Sequence, residues 1–187
     1  MANENPHLIW IDCEMTGLSL EKDALVEIAV LVTDSELNPI GDGADVVIKT
    51  TQEKLDQMSE FVKNMHTESG LLPQILNGAS MEEAESKVLT YLQSTGIKPG
   101  TAPLAGNSIS MDKNFIARDM PNLDAFLHYR IVDVSSLKEL AKRWYPEIYF
   151  KAPAKTGNHR AMGDVRDSIE ELRYYRANIF TKTQAPQ

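Results

Sequence analysis

Two apolar runs near the N-terminus, Leu8-Ile9-Trp10-Ile11 and Leu25 to Val32, most constrain what this chain can become. Both hold β-branched or aromatic residues suited to a pleated, packed surface, and the first reads as a buried strand. That run leads straight into Asp12 and Glu14, and Glu27 breaks the second. Strand side chains alternate faces, so Asp12 and Glu14 share one. Two carboxylates side by side against a core are costly unless a cation lies between them. A hard divalent ion held by oxygens removes that cost. The plain alternative is a strand ending at Asp12, with both acids solvated in a turn completed by Thr16-Gly17.

The rest of the chain supports a mixed sheet with helices on its faces. Strands are expected over about 7–12, 25–33 and 45–50, with Asn38-Pro39 and Gly41-Asp42-Gly43 marking the turn before the third. Short connections suggest an antiparallel meander. Residues of about 55–95 turn helical. There Ser80 and Glu83 form a capping box, and Ala84, Val88 and Leu92 lie on one stripe. Short strands follow at Pro103–Gly106 and Ile131–Val134, with helices beginning near Asp112 and spanning about 135–144. Residues 146–158 read as a loop and 161–178 as a final helix with Ala161, Val165, Ile169 and Leu172 on its buried stripe. Strands first, then alternating helix and strand, give an α/β fold with a five-stranded mixed sheet flanked by helices.

At 187 residues the chain is most simply one domain, 1–187, with a core of about 7–180 and a polar tail at 181–187. No apolar run approaches the ~20 residues of a membrane span. Residues 1–7 show neither a secretory signal nor the arginines of a transit peptide. Cys13 is the single cysteine, so no intrachain disulfide can form. These features fit the cytoplasm. The net charge of −8 is poorly suited to tracking along a long polyanion, whose binding rests on basic surfaces. A substrate with one or two phosphates, held by metals and a few local cations, suits it better.

Three further residues extend the acidic pair: Asp112, His159 and Asp164. Asp164 lies three residues after Ala161, at the margin of the last helix's buried stripe. His159 lies five before Asp164, which is not a same-face helical spacing, so it should come from the preceding loop. Taken singly, Asp112 and Asp164 also fit first-turn acids favoured by the helix dipole, and His159 an ordinary loop histidine. Together, four carboxylates and a histidine suit a two-metal phosphodiester-cleaving site.

These residues, with Ile9 to Leu18, Leu104 to Ile109, His128-Tyr129-Arg130 through Asp133-Val134-Ser135, and Lys138 through Trp144, resemble the oligoribonuclease branch of the DEDDh exonucleases. The resemblance covers about residues 7–180. It implies an RNase H-like fold and a 3′-to-5′ exonuclease acting on very short RNA, chiefly dinucleotides, including pGpG-type linear dinucleotides. It also implies two divalent ions, Mg²⁺ or Mn²⁺, and a homodimer. Carried over residue by residue, Asp12, Glu14 and Asp164 would hold one metal. Asp12 would bridge to the second, supported by Asp112. His159 would take a proton from the attacking water, as a neutral imidazole can. All-oxygen coordination suits hard ions rather than zinc.

The same resemblance gives substrate contacts. Leu18 would wedge between two bases, and His66 would contact ribose or phosphate. Ser108, Arg130 and Ser135 would cap a 5′ phosphate, for which arginine's fork is apt. Tyr129 would reach across the dimer to stack on a base. Phe61 stands where many relatives carry tryptophan, and so stacks with less area. Ser110 stands where glutamine is common. Two other readings stay open: a DNA exonuclease or proofreading-type domain, and a module that binds short nucleotides without cleaving them.

Overall fold

The computed structural model describes residues 7–155 and 159–180. Strands β1 (Leu8–Met15), β2 (Leu25–Thr33) and β3 (Pro39–Val47) come first. Helices α1 (Gln52–Asp56), α2 (Glu60–Glu68), α3 (Leu72–Ile75) and α4 (Met81–Ser94) follow, then β4 (Pro103–Gly106), α5 (Ser110–Asp119) and α6 (Pro121–Phe126). The chain continues with β5 (His128–Asp133), α7 (Val134–Trp144), α8 (Pro146–Phe150) and α9 (Ala161–Ile179). The sheet order is β3-β2-β1-β4-β5. The first three strands form the expected antiparallel meander, and β4 and β5 add in parallel to β1. Among the described residues no helix is long and apolar enough to cross a membrane.

Alternation along the strands feeds two cores. Ile9, Ile11 and Cys13 of β1 pack with Ile28 and Val30 of β2 against α4, α5 and α6. Trp10 of β1, with Ala29 and Leu31 of β2, packs on the other side against α7 and α9. Each large side chain so buried contributes roughly 1.5–3 kcal/mol. By the same alternation Asp12, Glu14 and Glu27 all face α9, and Glu14 and Glu27 are direct cross-strand partners.

β1 and β4 pair only through Ile9–Leu104 and Trp10–Ala105. Beyond Gly106 the two strands part, which opens a crevice at the carboxyl end of β1, where open α/β sheets bind ligands. A Cβ on Gly106 would lie 2.5 Å from Ile109 Cγ2 and 3.0 Å from the Ile11 carbonyl oxygen, so this close approach requires glycine.

Several boundaries differ from expectation: β1 runs on to Met15 rather than ending near 12, and β5 spans His128–Asp133 rather than Ile131–Val134. β3 runs from Pro39 to Val47 rather than over 45–50, because it is an edge strand. An edge tolerates a proline without a ladder donor, and Gly41 (φ 72°) and Gly43 (φ 86°) sit where the β2–β3 register shifts. The stretch expected to be loop from 146 begins with α8, and α6 was also missed. Both start at proline and span five and six residues, too short to show a helical period. Residues 156–158 and the tail at 181–187 lie outside the described residues.

Candidate active site

Asp12 and Glu14 both lie inside β1, which continues to Met15, so the turn alternative does not hold. The opposite wall comes from α9, whose first turn carries Asp164. One carboxylate oxygen from each of Asp12, Glu14 and Asp164 lies within 4.8 Å of the others. Oxygens around one Mg²⁺ with ~2.0–2.1 Å bonds lie at most ~4.2 Å apart, so small movements would close these three on a single ion. The all-oxygen donor set fits a hard cation.

The electrostatics agree with that fit. Burial raises the Asp12 carboxyl well above its usual range, and the charges of Asp112, Asp164 and Glu14 add to the effect. Burial likewise pushes Glu14 up to about 8, helped by Asp164, Glu27 and Asp112. Asp164 is raised chiefly by burial, against the opposing pull of Lys155 and His159. Carboxylates packed so that they repel one another in a half-dry site hold protons more tightly, and a bound cation offsets that repulsion.

Asp112 stands beside this trio. Its Oδ1 accepts a 2.9 Å hydrogen bond from the Cys13 amide. That amide belongs to the part of β1 that β4 no longer pairs, so α5 supplies the missing ladder partner. Burial raises Asp112 to about 6, and this hydrogen bond works in the opposite direction. His159 leads into α9 as the sequence spacing required, with a left-handed backbone (φ 47°) and an exposed side chain.

Of the residues expected to contact substrate, Leu18 (69% exposed), Phe61 (77%) and Tyr129 (77%) are solvent-facing apolar side chains. The Leu18 loop is organised by Asp23, which accepts from Thr16 Oγ1 (3.0 Å) and the Ser19 amide (2.9 Å). Ser108 and Ser135 meet with their hydroxyls 3.0 Å apart, and Arg130 is exposed on the edge strand β5. Ser110 is exposed at the start of α5. His66 is fully buried. Its Nε2 lies 2.9 Å from the Met15 carbonyl oxygen and so donates to it, and its Nδ1 has no hydrogen-bond partner among the described residues. The nearest acid to that nitrogen is Glu14, at 3.9 Å.

The sequence reading missed a group that holds the site in place. Glu27 is fully buried and accepts from Arg160 Nε (2.9 Å), Arg160 Nη2 (2.5 Å) and the Ala161 amide (3.0 Å). It thereby clamps the start of α9 between His159 and Asp164. The signal was present, since a glutamate interrupting an apolar strand needs a buried partner.

Fold and site together place the chain among exonucleases: the RNase_T exonuclease family model matches residues 9–172. Relatives named oligoribonuclease are similar over nearly the whole chain. The Streptomyces griseus protein is 57% identical over 97% of this chain and 90% of its own length. The Cutibacterium acnes protein is 52% identical over 96% and 89% respectively. The chain therefore belongs to the oligoribonuclease family. That membership does not favour the DNA-exonuclease or binding-only alternatives. Among solved structures, E. coli exonuclease I in complex with single-stranded DNA superimposes with a TM-score of 0.70 at 16% identity, covering 94% of this chain and 41% of that one. Exonuclease I from Methylocaldum szegediense gives 0.67 at 20% identity, with 92% and 41% covered. At such identity the likeness establishes the RNase H-like fold alone, and this chain spans about two fifths of those proteins.

Proposed function

We propose that this chain hydrolyses very short RNA from the 3′ end, chiefly 5′-phosphorylated dinucleotides, pGpG-type molecules among them, to mononucleotides. The observation that carries the reading is the meeting of Asp12, Glu14 and Asp164, with the exposed His159 acting electrostatically on Asp164. Asp12, Glu14 and Asp164 would hold one Mg²⁺ or Mn²⁺, with Asp12 shared and Asp112 supporting a second ion. When bound, such a pair supplies stabilisation of the attacking and leaving oxygens of an in-line displacement.

The chain's own residues do the rest. His159 accepts the proton of the attacking water from a position reachable by solvent. Leu18 separates the two bases and Phe61 stacks on one. His66, fully buried and pushed by burial toward the neutral imidazole, would contact the ribose–phosphate only where the bound substrate opens the wall around it. Ser108, Arg130 and Ser135 clasp the 5′ phosphate and close the far end, so a third nucleotide would collide with them. Tyr129 and Arg130 stand exposed on β5, the outer strand of the sheet. That edge suits a homodimer in which Tyr129 stacks on a base in the partner's site. The net charge of −8 fits a small substrate better than a long one, and a cytoplasmic location suits the single free thiol.

The test uses labelled 5′-phosphorylated dinucleotide and labelled 7-mer, each with and without Mg²⁺. The dinucleotide should be cleaved much faster, and only with metal. Equal rates on both lengths would refute the closed site.

A further inference from the structure

A continuous run of polar contacts leads from the two surface serines into the helix that carries Asp164. Asp133 Oδ1 accepts from the amides of both Ser108 (3.0 Å) and Ser135 (2.9 Å), which sets their side chains next to each other. Ser108 is held at φ 54°, a left-handed conformation that a non-glycine residue keeps only with outside support. Ser135 Oγ lies 3.1 Å from Asn107 Oδ1. Asn107 Nδ2 in turn lies 2.8 Å from Ser168 Oγ and 3.1 Å from Glu171 Oε2. Ser168 and Glu171 are buried on α9, and Ser168 follows Asp164 by one turn.

The chemistry of the partners fixes the direction of these bonds. Glu171, paired with Lys138 Nζ at 3.1 Å, is a carboxylate that only accepts. The Asn107 amide nitrogen must therefore face it, which leaves Asn107 Oδ1 toward Ser135. An amide oxygen also only accepts, so Ser135 donates its single hydroxyl proton to Asn107. Ser135 Oγ can then only accept from Ser108, at 3.0 Å. Within this run of contacts, the Ser108 hydroxyl carries the proton that can turn outward without breaking a bond to the core. It is also the more accessible of the two, since Ser108 is exposed and Ser135 half-buried.

We propose that Asn107 is the positioning residue of the 5′-phosphate end of the site, and that it reserves the Ser108 hydroxyl proton, rather than that of Ser135, for the incoming phosphate. The proposal rests on the phosphate-clasp reading above. It refines that clasp by making two serines of equal chemistry unequal in function: Ser108 donates to the phosphate, and Ser135 serves the clasp indirectly, as the fixed acceptor that keeps Ser108 poised.

The experiment compares KM for a 5′-phosphorylated and a 5′-hydroxyl dinucleotide in the wild type, Ser108→Ala, Ser135→Ala, Asn107→Ala and the Ser108→Ala/Asn107→Ala double variant, with melting checked for each. Ser108→Ala should erode the preference for the phosphorylated substrate about tenfold or more, the scale of a hydrogen bond to a charged group. Ser135→Ala should erode it about threefold at most. In the Asn107→Ala background the loss caused by Ser108→Ala should shrink, because Ser135 is released to donate in its place. Erosion by Ser135→Ala equal to that by Ser108→Ala overturns the proposal, as does a Ser108→Ala loss that Asn107→Ala leaves unchanged. If Asn107→Ala does not fold, the two serine variants decide alone. A wild type indifferent to the 5′ phosphate would instead show that the clasp itself is absent, and the proton assignment would fall with it.

Discussion

Replacing Glu27 with alanine would test whether the clamp at the start of α9 holds the site together. The carboxylate is fully buried and is the acceptor for three donors at 2.5–3.0 Å. Removing one member of a buried pair costs about 3–5 kcal/mol. Arg160 keeps 27% of its side-chain exposure and can recover some water, which moves the expectation toward about 2–3 kcal/mol. In a chain of this size 1 kcal/mol lowers Tm by about 2–4 °C, so melting should fall by roughly 4–12 °C. Metal binding should weaken as well, because the strand–helix tie that positions Asp164 is gone. One opposing effect is built in, since loss of the Glu27 charge relieves Glu14. Glu27→Gln, which keeps an acceptor but turns an amide donor toward the guanidinium, should fall between the two. Denaturant unfolding, with Mn²⁺ titrated by calorimetry into each variant, supplies both numbers. A Glu27→Ala protein destabilised by less than about 1 kcal/mol and binding Mn²⁺ as well as the wild type would refute the clamp.

Four further outcomes follow from the site. Asp12→Ala should abolish turnover, and turnover by the wild type that survives excess chelator would contradict the metal site. His159→Ala should lose about 10²–10⁴-fold in rate while still binding Mn²⁺ in a calorimeter, the range for a general base. Without divalent ions, stability should fall as pH rises from about 5 to about 8. Glu14 releases its proton near 8 when folded but near its ordinary 4.5 when unfolded, so the unfolded state ionises first, at a cost on the order of a few kcal/mol. Unfolding curves at several pH values check this, and saturating Mn²⁺ should abolish the slope. Tyr129→Ala mixed with Asp12→Ala should regain activity if Tyr129 acts across a dimer, whereas a fully active monomer would rule that out.

Much of this was legible in the sequence because strand alternation and helix stripes are local properties. The Asp12–Glu14 pair, the Ser80–Glu83 capping box and the place of His159 before α9 each followed from spacing alone. The Pro39 edge strand did not, because proline and two glycines spell a turn unless the absence of a neighbour on one side is known. Nor did the Glu27–Arg160 clamp, whose partners are separated by 133 residues. The Asn107 relay escaped for the same reason: its carboxylate and amide are ordinary residues until α9 is laid against β4. Spacing fixed which faces residues share, and only packing revealed which distant polar groups satisfy one another.

The parting of β1 and β4 beyond Gly106 also bears on the order in which the molecule comes into being. The crevice is lined by an N-terminal strand, a mid-chain helix that docks its Asp112 on an amide 99 residues away, and a helix tied to β2 across 134 residues. Contacts of such sequence separation form late and slowly in folding. On the ribosome, the meander and α4 can condense while α9 is still unmade, leaving Asp12 and Glu14 as two acids with no third ligand. The cluster of three carboxylates is thus completed in a single step, when α9 docks on the sheet.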